Sequence, residues 1–221
     1  MLQCSEMPLR SFARLFIWKK NNAIPLNKLI SSGNIKLPST TAIFNINSAT
    51  DCASDKLGLC AAKRFGCKCY AKKAEYFRPH VLRYRRRQTE FWDNTTPEEF
   101  VSQFLMLNAL KVKPFKNIRI NESGDFRGQK DIEKVEKIAT MLRRFGIRVY
   151  GYTSRKDLDF SKIRHTILSG SGFKKAGISN VFQIIGRHDK VLKGYGLCKG
   201  DCGICKRCLQ KKGLKTCVRS H

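Results

Sequence analysis

The feature that most limits what this chain can become is an alternation of short β-favouring runs with helical segments. "NIRINES" (117–123) alternates like a half-buried strand. The segment after it, "DIEKVEKIATMLRRFG", places Ile132, Val135, Ile138, Ala139, Leu142 and Phe145 on one helical stripe closed by Gly146. "IRVYGYT" (147–153) returns to a strand, and "HTILSGSG" (165–172) and "NVFQIIG" (180–186) follow in kind. Upstream, "TTAIFNINS" (40–48) is a further strand. "YAKKAEYFRPHVLRYRRRQTEFW" reads as helix divided at Pro79. "TTPEEFVSQFLMLNALK" opens as a helix should, with Thr96 as cap, Pro97 in the first turn and Glu99 completing a capping box. Strands joined by crossovers of about a dozen residues or more run parallel. The expectation is therefore an α/β chain, a partial or open (β/α) barrel of about five to six parallel strands with helices outside. A doubly wound sheet is the alternative.

In such folds the working site lies at the carboxyl ends of the strands. The first strand ends at Asn47-Ser48 and runs into Cys52, and the second ends in "NESGD" (121–125). The third ends in Thr153, Ser154 and Arg155, the fourth in "SGSG" (169–172) and the fifth in Gly186-Arg187. Ser, Gly and Asp also end strands for local turn reasons, but "NESGDF" carries more chemistry than a turn needs. Glu122, Ser123 and Asp125 are the candidate catalytic residues. Asn121, Gly124, Thr153 and Ser154 are the candidate cofactor-binding residues.

Ten cysteines are many for a chain of 221 residues, and they are grouped. The spacings suit metal ligation better than disulfides, and no secretory signal peptide is evident. Cys52, Cys60, Cys67 and Cys69 have loose spacing without the paired ligands of a zinc finger. A loop of this kind after the first strand suits an iron–sulfur cluster, with zinc as the alternative. With Cys67 and Cys69 only one residue apart, one of them is expected to suffice as a ligand. Three thiolates on a four-iron cluster leave one iron open. The second group, Cys198, Cys202, Cys205 and Cys208, is compact and lies after the last expected strand. Its first three members match the C-x3-C-x2-C spacing of radical S-adenosylmethionine enzymes, but the fourth thiolate closes the site. It is read as an auxiliary or structural metal site that folds its own segment.

Lys and Arg number 44 against 17 acidic residues, a net charge of +27. Such a chain attracts polyanions, and a nucleotide or nucleic acid is the expected partner. Arg83, Arg85, Arg86 and Arg87 are the candidate phosphate contacts. No apolar run approaches the roughly 18 residues of a membrane span, so the expectation is a cytoplasmic monomer without a membrane. Three regions are anticipated: a basic extension over 1–38, an α/β core over 39–190, and a cysteine-rich metal-binding segment over 191–221. His165 begins a strand and is read as structural.

The ordered motifs resemble the phage-encoded gene product 88 family. Here they stand as "FNINSATDC", "CYAKKAE", "RINESGDF", "YGYTSR" and "CGICKRC", across about residues 40–210. Asn121 stands where that family has His, and Cys67 adds a thiol just before the C-Y-A cysteine. The family in turn resembles radical S-adenosylmethionine enzymes distantly: a cysteine loop follows strand one, C-Y-A leads into a helix, and a polar block follows the next strand. The resemblance implies a four-iron cluster on Cys52, Cys60 and Cys69. It also implies S-adenosylmethionine as cofactor, with Glu122 and Asp125 near its amino group, and the host cytoplasm as location. A non-enzymatic nucleic-acid-binding protein stapled by two zinc sites is the competing reading.

Overall fold

The computed structural model of the protein describes residues 24–64, 69–210 and 213–220. The amino-terminal extension as far as residue 23, with Cys4, lies outside them, as does Cys67.

Six parallel strands form the middle of one open sheet: β2 (Thr41–Phe44), β3 (Asn117–Ile120), β4 (Arg148–Thr153), β5 (Ile167–Ser171), β6 (Asn180–Ile185) and β8 (Lys215–Arg219). Two short strands make the edges. β1 (Ser31–Ser32) pairs antiparallel with β2, and β7 (Gly196–Leu197) lies parallel to β8. The order is β1-β2-β3-β4-β5-β6-β8-β7. Neighbours follow chain order from β1 to β6, without the reversal that defines a doubly wound sheet. The sheet does not close, so no complete barrel forms.

The helices are α1 (Ala53–Lys56), α2 (Ala61–Arg64), α3 (Tyr70–Phe77), α4 (Pro79–Asn94), α5 (Pro97–Ala109), α6 (Gln129–Arg143) and α7 (Cys202–Cys205). The main core joins α4, α5 and α6 to one face of the sheet. Ala42, Phe44, Ile118, Ile120, Val149 and Leu168 meet Trp92, Phe100, Phe104, Ile132, Val135 and Leu142 there. Phe44 sits at its centre, with ring centroids 5.2 Å from Phe100 and 6.0 Å from Trp92. The period-2 alternation of the strands sends Ile43, Tyr150 and Ile167 to the opposite face, where Leu37, Cys202 and Leu209 cover them. The cysteine-rich carboxyl segment, α7 included, therefore folds back onto the face opposite α4, α5 and α6, and its last part, β8, is a strand of the same sheet.

The capping box at α5 forms in full: Thr96 accepts from the Glu99 amide and Glu99 accepts from the Thr96 amide. α6 buries Ile132, Val135, Ile138, Ala139 and Leu142 as expected. Phe145 departs from that stripe. It lies beyond the last helical residue, Arg143, and is exposed. Leu26 and Leu29 belong to the main core, so the core begins before residue 39. The connections from β4 to β5 and from β5 to β6 carry no helix, so the strand–helix alternation stops after α6.

Candidate functional site

The polar residues at the ends of β2 and β3 interlock through three asparagines. Asn45 Oδ1 accepts from the Ser123 amide at 2.8 Å, and Asn47 Oδ1 accepts from the Asp125 amide at 3.0 Å. Asn121 Oδ1 accepts from the Ile46 amide at 3.1 Å in the reverse direction. Asn121 has φ 55°, a left-handed conformation that Asn tolerates better than most residues. Gly124, at φ 70°, is compelled by space as well: a Cβ there would stand 1.7 Å from Asn47 Oδ1. Asn47 Nδ2 and Asn121 Nδ2 are buried and have no hydrogen-bond partner among the described residues. Such buried donors, here on adjoining strand ends, are exceptions to the usual pairing of buried polar groups.

Two carboxylates hold the cysteine loop against this rim. Asp125, buried, accepts from the Ser54 hydroxyl, from the Ser154 amide at 2.7 Å and from the Phe126 amide at 2.8 Å. It ties α1 to the end of β4. Burial pushes its carboxyl above the usual range, and those hydrogen bonds pull partly back. Glu75, also buried, accepts from the Ala49 and Thr50 amides at 2.7 and 2.8 Å, from the Thr50 hydroxyl, and from Arg85 Nη1 at 2.8 Å. Burial alone would raise its carboxyl; the Arg85 contact and the amides outweigh it and hold it low.

Cys52 and Cys69 stand at the amino ends of α1 and α3, and Cys60 lies just before α2; all three are half-buried. Cys52 feels Asp125 and Cys60 electrostatically, and Lys72 feels both Cys52 and Cys69. Burial, aided by those two neighbours, pushes the Cys52 thiol up to about 12. It is therefore a poor free nucleophile, and a metal would have to displace its proton. Of the other rim residues, Thr153 Oγ1 accepts from the Arg155 amide at 3.1 Å, and Ser154 Oγ lies 3.5 Å from the Ala61 amide. Glu122 is half-buried at the mouth, where its carboxylate meets Asn34 and its carbonyl accepts from Tyr70 Oη at 2.6 Å.

The second cysteine group lies on the sheet face opposite α4, α5 and α6. Cys198, Cys202, Cys205 and Cys208 line a cavity of about 40 Å³ together with Arg119, Tyr150 and Tyr152. The Arg119 guanidinium lies 4.1 Å from the Tyr152 ring centroid and 5.6 Å from that of Tyr150. Arg119 makes no ion pair among the described residues, and its Nε and that of Arg207, which lines the same cavity, are buried without partners. Burial raises the Cys202 and Cys208 thiols. Cys217, in β8, is fully buried as a strand residue. The donor chemistry of both cysteine groups fits a thiophilic metal, and the orphaned guanidinium atoms fit an anionic metal–thiolate centre. As placed, no three His, Cys, Asp or Glu side chains among the described residues converge closely enough to hold an ion.

The four arginines separate. Arg85 is buried against Glu75 and the Ala71 carbonyl, so it serves the fold and is out of reach of a phosphate. Arg86 pairs with Asp51 at 3.0 Å, while Arg83 and Arg87 are exposed and make no ion pair among the described residues. His165 is half-buried, with Nδ1 3.4 Å from Arg143. Sequence reasoning missed Glu75, Ser54 and Arg119. Arg119 had a readable signal: flanked by Ile118 and Ile120, which face the helices, it must point to the other face of the strand.

Among the described residues no helix is long and apolar enough to cross a membrane. No curated protein and no solved structure matches the chain. A family model does, over residues 17–170, a span that takes in the cysteine loop, the "NESGD" rim and β4 but stops short of the second cysteine group. On that match the chain belongs to the gene product 88 family.

Proposed function

We propose that the protein is an iron–sulfur enzyme acting on a nucleotide or nucleic-acid substrate, with Cys52, Cys60 and Cys69 as the cluster ligands. One observation carries the reading. The loop bearing these thiols follows the first parallel strand and is fastened by Asp125 and Glu75 to a strand-end rim with two buried donors, Asn47 Nδ2 and Asn121 Nδ2, that have no partner among the described residues. A four-iron cluster held by three thiolates, together with S-adenosylmethionine, would supply radical chemistry. The chain's own part is to position and enclose. Asn47 and Asn121 donate to the bound group, Glu122 stands at the mouth, and Thr153 and Ser154 form the opposite wall. Cys198, Cys202, Cys205 and Cys208 hold a second, structural metal on the other face.

The competing reading is a zinc-stapled nucleic-acid binder without catalysis. It is favoured by the engagement of Asp125, whose carboxylate serves Ser54, Ser154 and Phe126. Anaerobic purification decides between them. A brown protein containing iron and acid-labile sulfide supports the enzyme. A colourless protein with about two zinc ions per chain overturns it.

A further inference from the structure

α3 and the start of α4 present an exposed surface that is both aromatic and basic. Tyr76 and Phe77 are 80% and 67% exposed, at the point where one helix hands over to the next. Their rings meet edge to face at 5.2 Å. Exposing two aromatic rings together is unfavourable in water, which marks such a patch as an interaction surface. The charge carried by this stretch of chain is almost all of one sign. Between residues 70 and 87 the single acid is Glu75, and it is buried against Arg85. Lys73, Arg78, Arg83 and Arg87 are exposed and make no ion pair among the described residues.

The spacing gives the patch direction. Tyr70, Lys73 and Phe77 share one face of α3, at i, i+3 and i+7, and Arg83 and Arg87 share one face of α4. The α3 stripe begins at the candidate site: Tyr70 follows Cys69 directly, and its hydroxyl donates to the Glu122 carbonyl. Aromatic rings interleaved with cations are what single-stranded nucleic acid requires, since its unpaired bases stack on rings while its phosphates meet the cations. A duplex offers its phosphates but not its base faces. A second copy of the chain fits less well, because a two-fold contact here would set like charges against each other.

We propose that this surface binds single-stranded nucleic acid, with Tyr76 and Phe77 as the stacking platform, Arg83 and Arg87 on the phosphates, and the α3 stripe leading the strand to the Cys69–Glu122 rim. The proposal rests on the nucleic-acid part of the function above and is independent of which metal the cysteines hold.

The test is fluorescence anisotropy of the full chain with a labelled single-stranded oligonucleotide and with its duplex, across a range of salt. The single strand is expected to bind more tightly than the duplex. The Tyr76→Ala/Phe77→Ala variant is expected to lose about tenfold or more in single-strand affinity with an unchanged salt slope. Arg83→Gln/Arg87→Gln is expected to flatten the log–log salt slope by about 1.4, the value for two lost phosphate contacts on a single strand. Undiminished single-strand affinity in the aromatic variant overturns the stacking platform while leaving nucleic acid as the substrate class. So does a loss confined to self-association in sedimentation or to anionic-vesicle binding. Absence of any oligonucleotide binding by the wild-type chain overturns both. Iron and sulfide content, measured on the same preparations, reports on the cluster separately.

Discussion

Single residues divide cleanly into those a sequence exposes and those it hides. Gly124 and Asn121 were legible as belonging to a rim, but their reasons were not: both needed a contact with a strand seventy-odd residues earlier, through Asn47 and Ile46. Glu75 was invisible because nothing in "YAKKAEYF" says which polar residue turns inward. Its partners are Arg85, on the next helix, and the amides of Ala49 and Thr50. Glu75→Gln keeps the shape but leaves Arg85 buried without a counter-charge. Chemical denaturation should show a loss of about 3 kcal/mol. Asp131 supplies the pH dependence. It accepts from Trp92 Nε1 at 2.9 Å and from Arg127. Burial pushes its carboxyl up, but the Arg127 and Trp92 hydrogen bonds win and the net shift is downward. A carboxyl held below its ordinary 3.8 stabilises the fold fully above that pH and loses the contribution as pH falls through the depressed value. Asp131→Asn should therefore lower thermal stability at neutral pH and flatten its decline below about pH 4.

Elements were easier to read than residues, because a helix or strand announces itself by period. β2 to β6 all fall within the stretches that alternate or run apolar, and α6 follows its stripe until Phe145, where the helix has already ended. The capping box at α5 was legible because all its partners lie within four residues. Thr96→Ala should cost about 1 kcal/mol in equilibrium unfolding without touching metal content. β8 was missed for the opposite reason. "KTCVR" carries two cations and a cysteine, and only its place beside β6, with Val181 opposite Lys215, makes it a strand. That pairing also settles Cys217, whose burial in the sheet removes it from the thiols around the second cavity.

At the scale of the whole molecule the sheet's two faces do different things. One is closed by α4, α5 and α6 around an aromatic core, and the other is capped by a cysteine-bearing segment over Arg119. The sequence reading separated the two cysteine groups by position in the chain; the structure sets one at the strand-end rim and the other on the opposed face, with Arg119 of the second cavity within electrostatic reach of Tyr70 and Glu122 at the rim. Their independence is testable. Cys208→Ser should reduce metal content at the second group and lower thermal stability, yet leave the metal bound at the first. The neighbour order of the open sheet followed from the alternation of elements; whether it curls as part of a barrel did not, because curvature depends on stagger and tilt that no local pattern encodes. The central claim is that Cys52, Cys60 and Cys69 ligate an iron–sulfur cluster. Its most direct test is the iron and acid-labile sulfide content of anaerobically purified wild-type chain beside a Cys52→Ser/Cys60→Ser/Cys69→Ser variant. The account predicts about four iron and four sulfide attributable to those three thiols, lost in the variant while the protein stays folded. Equal iron and sulfide in the two proteins, or zinc alone in both, would contradict it.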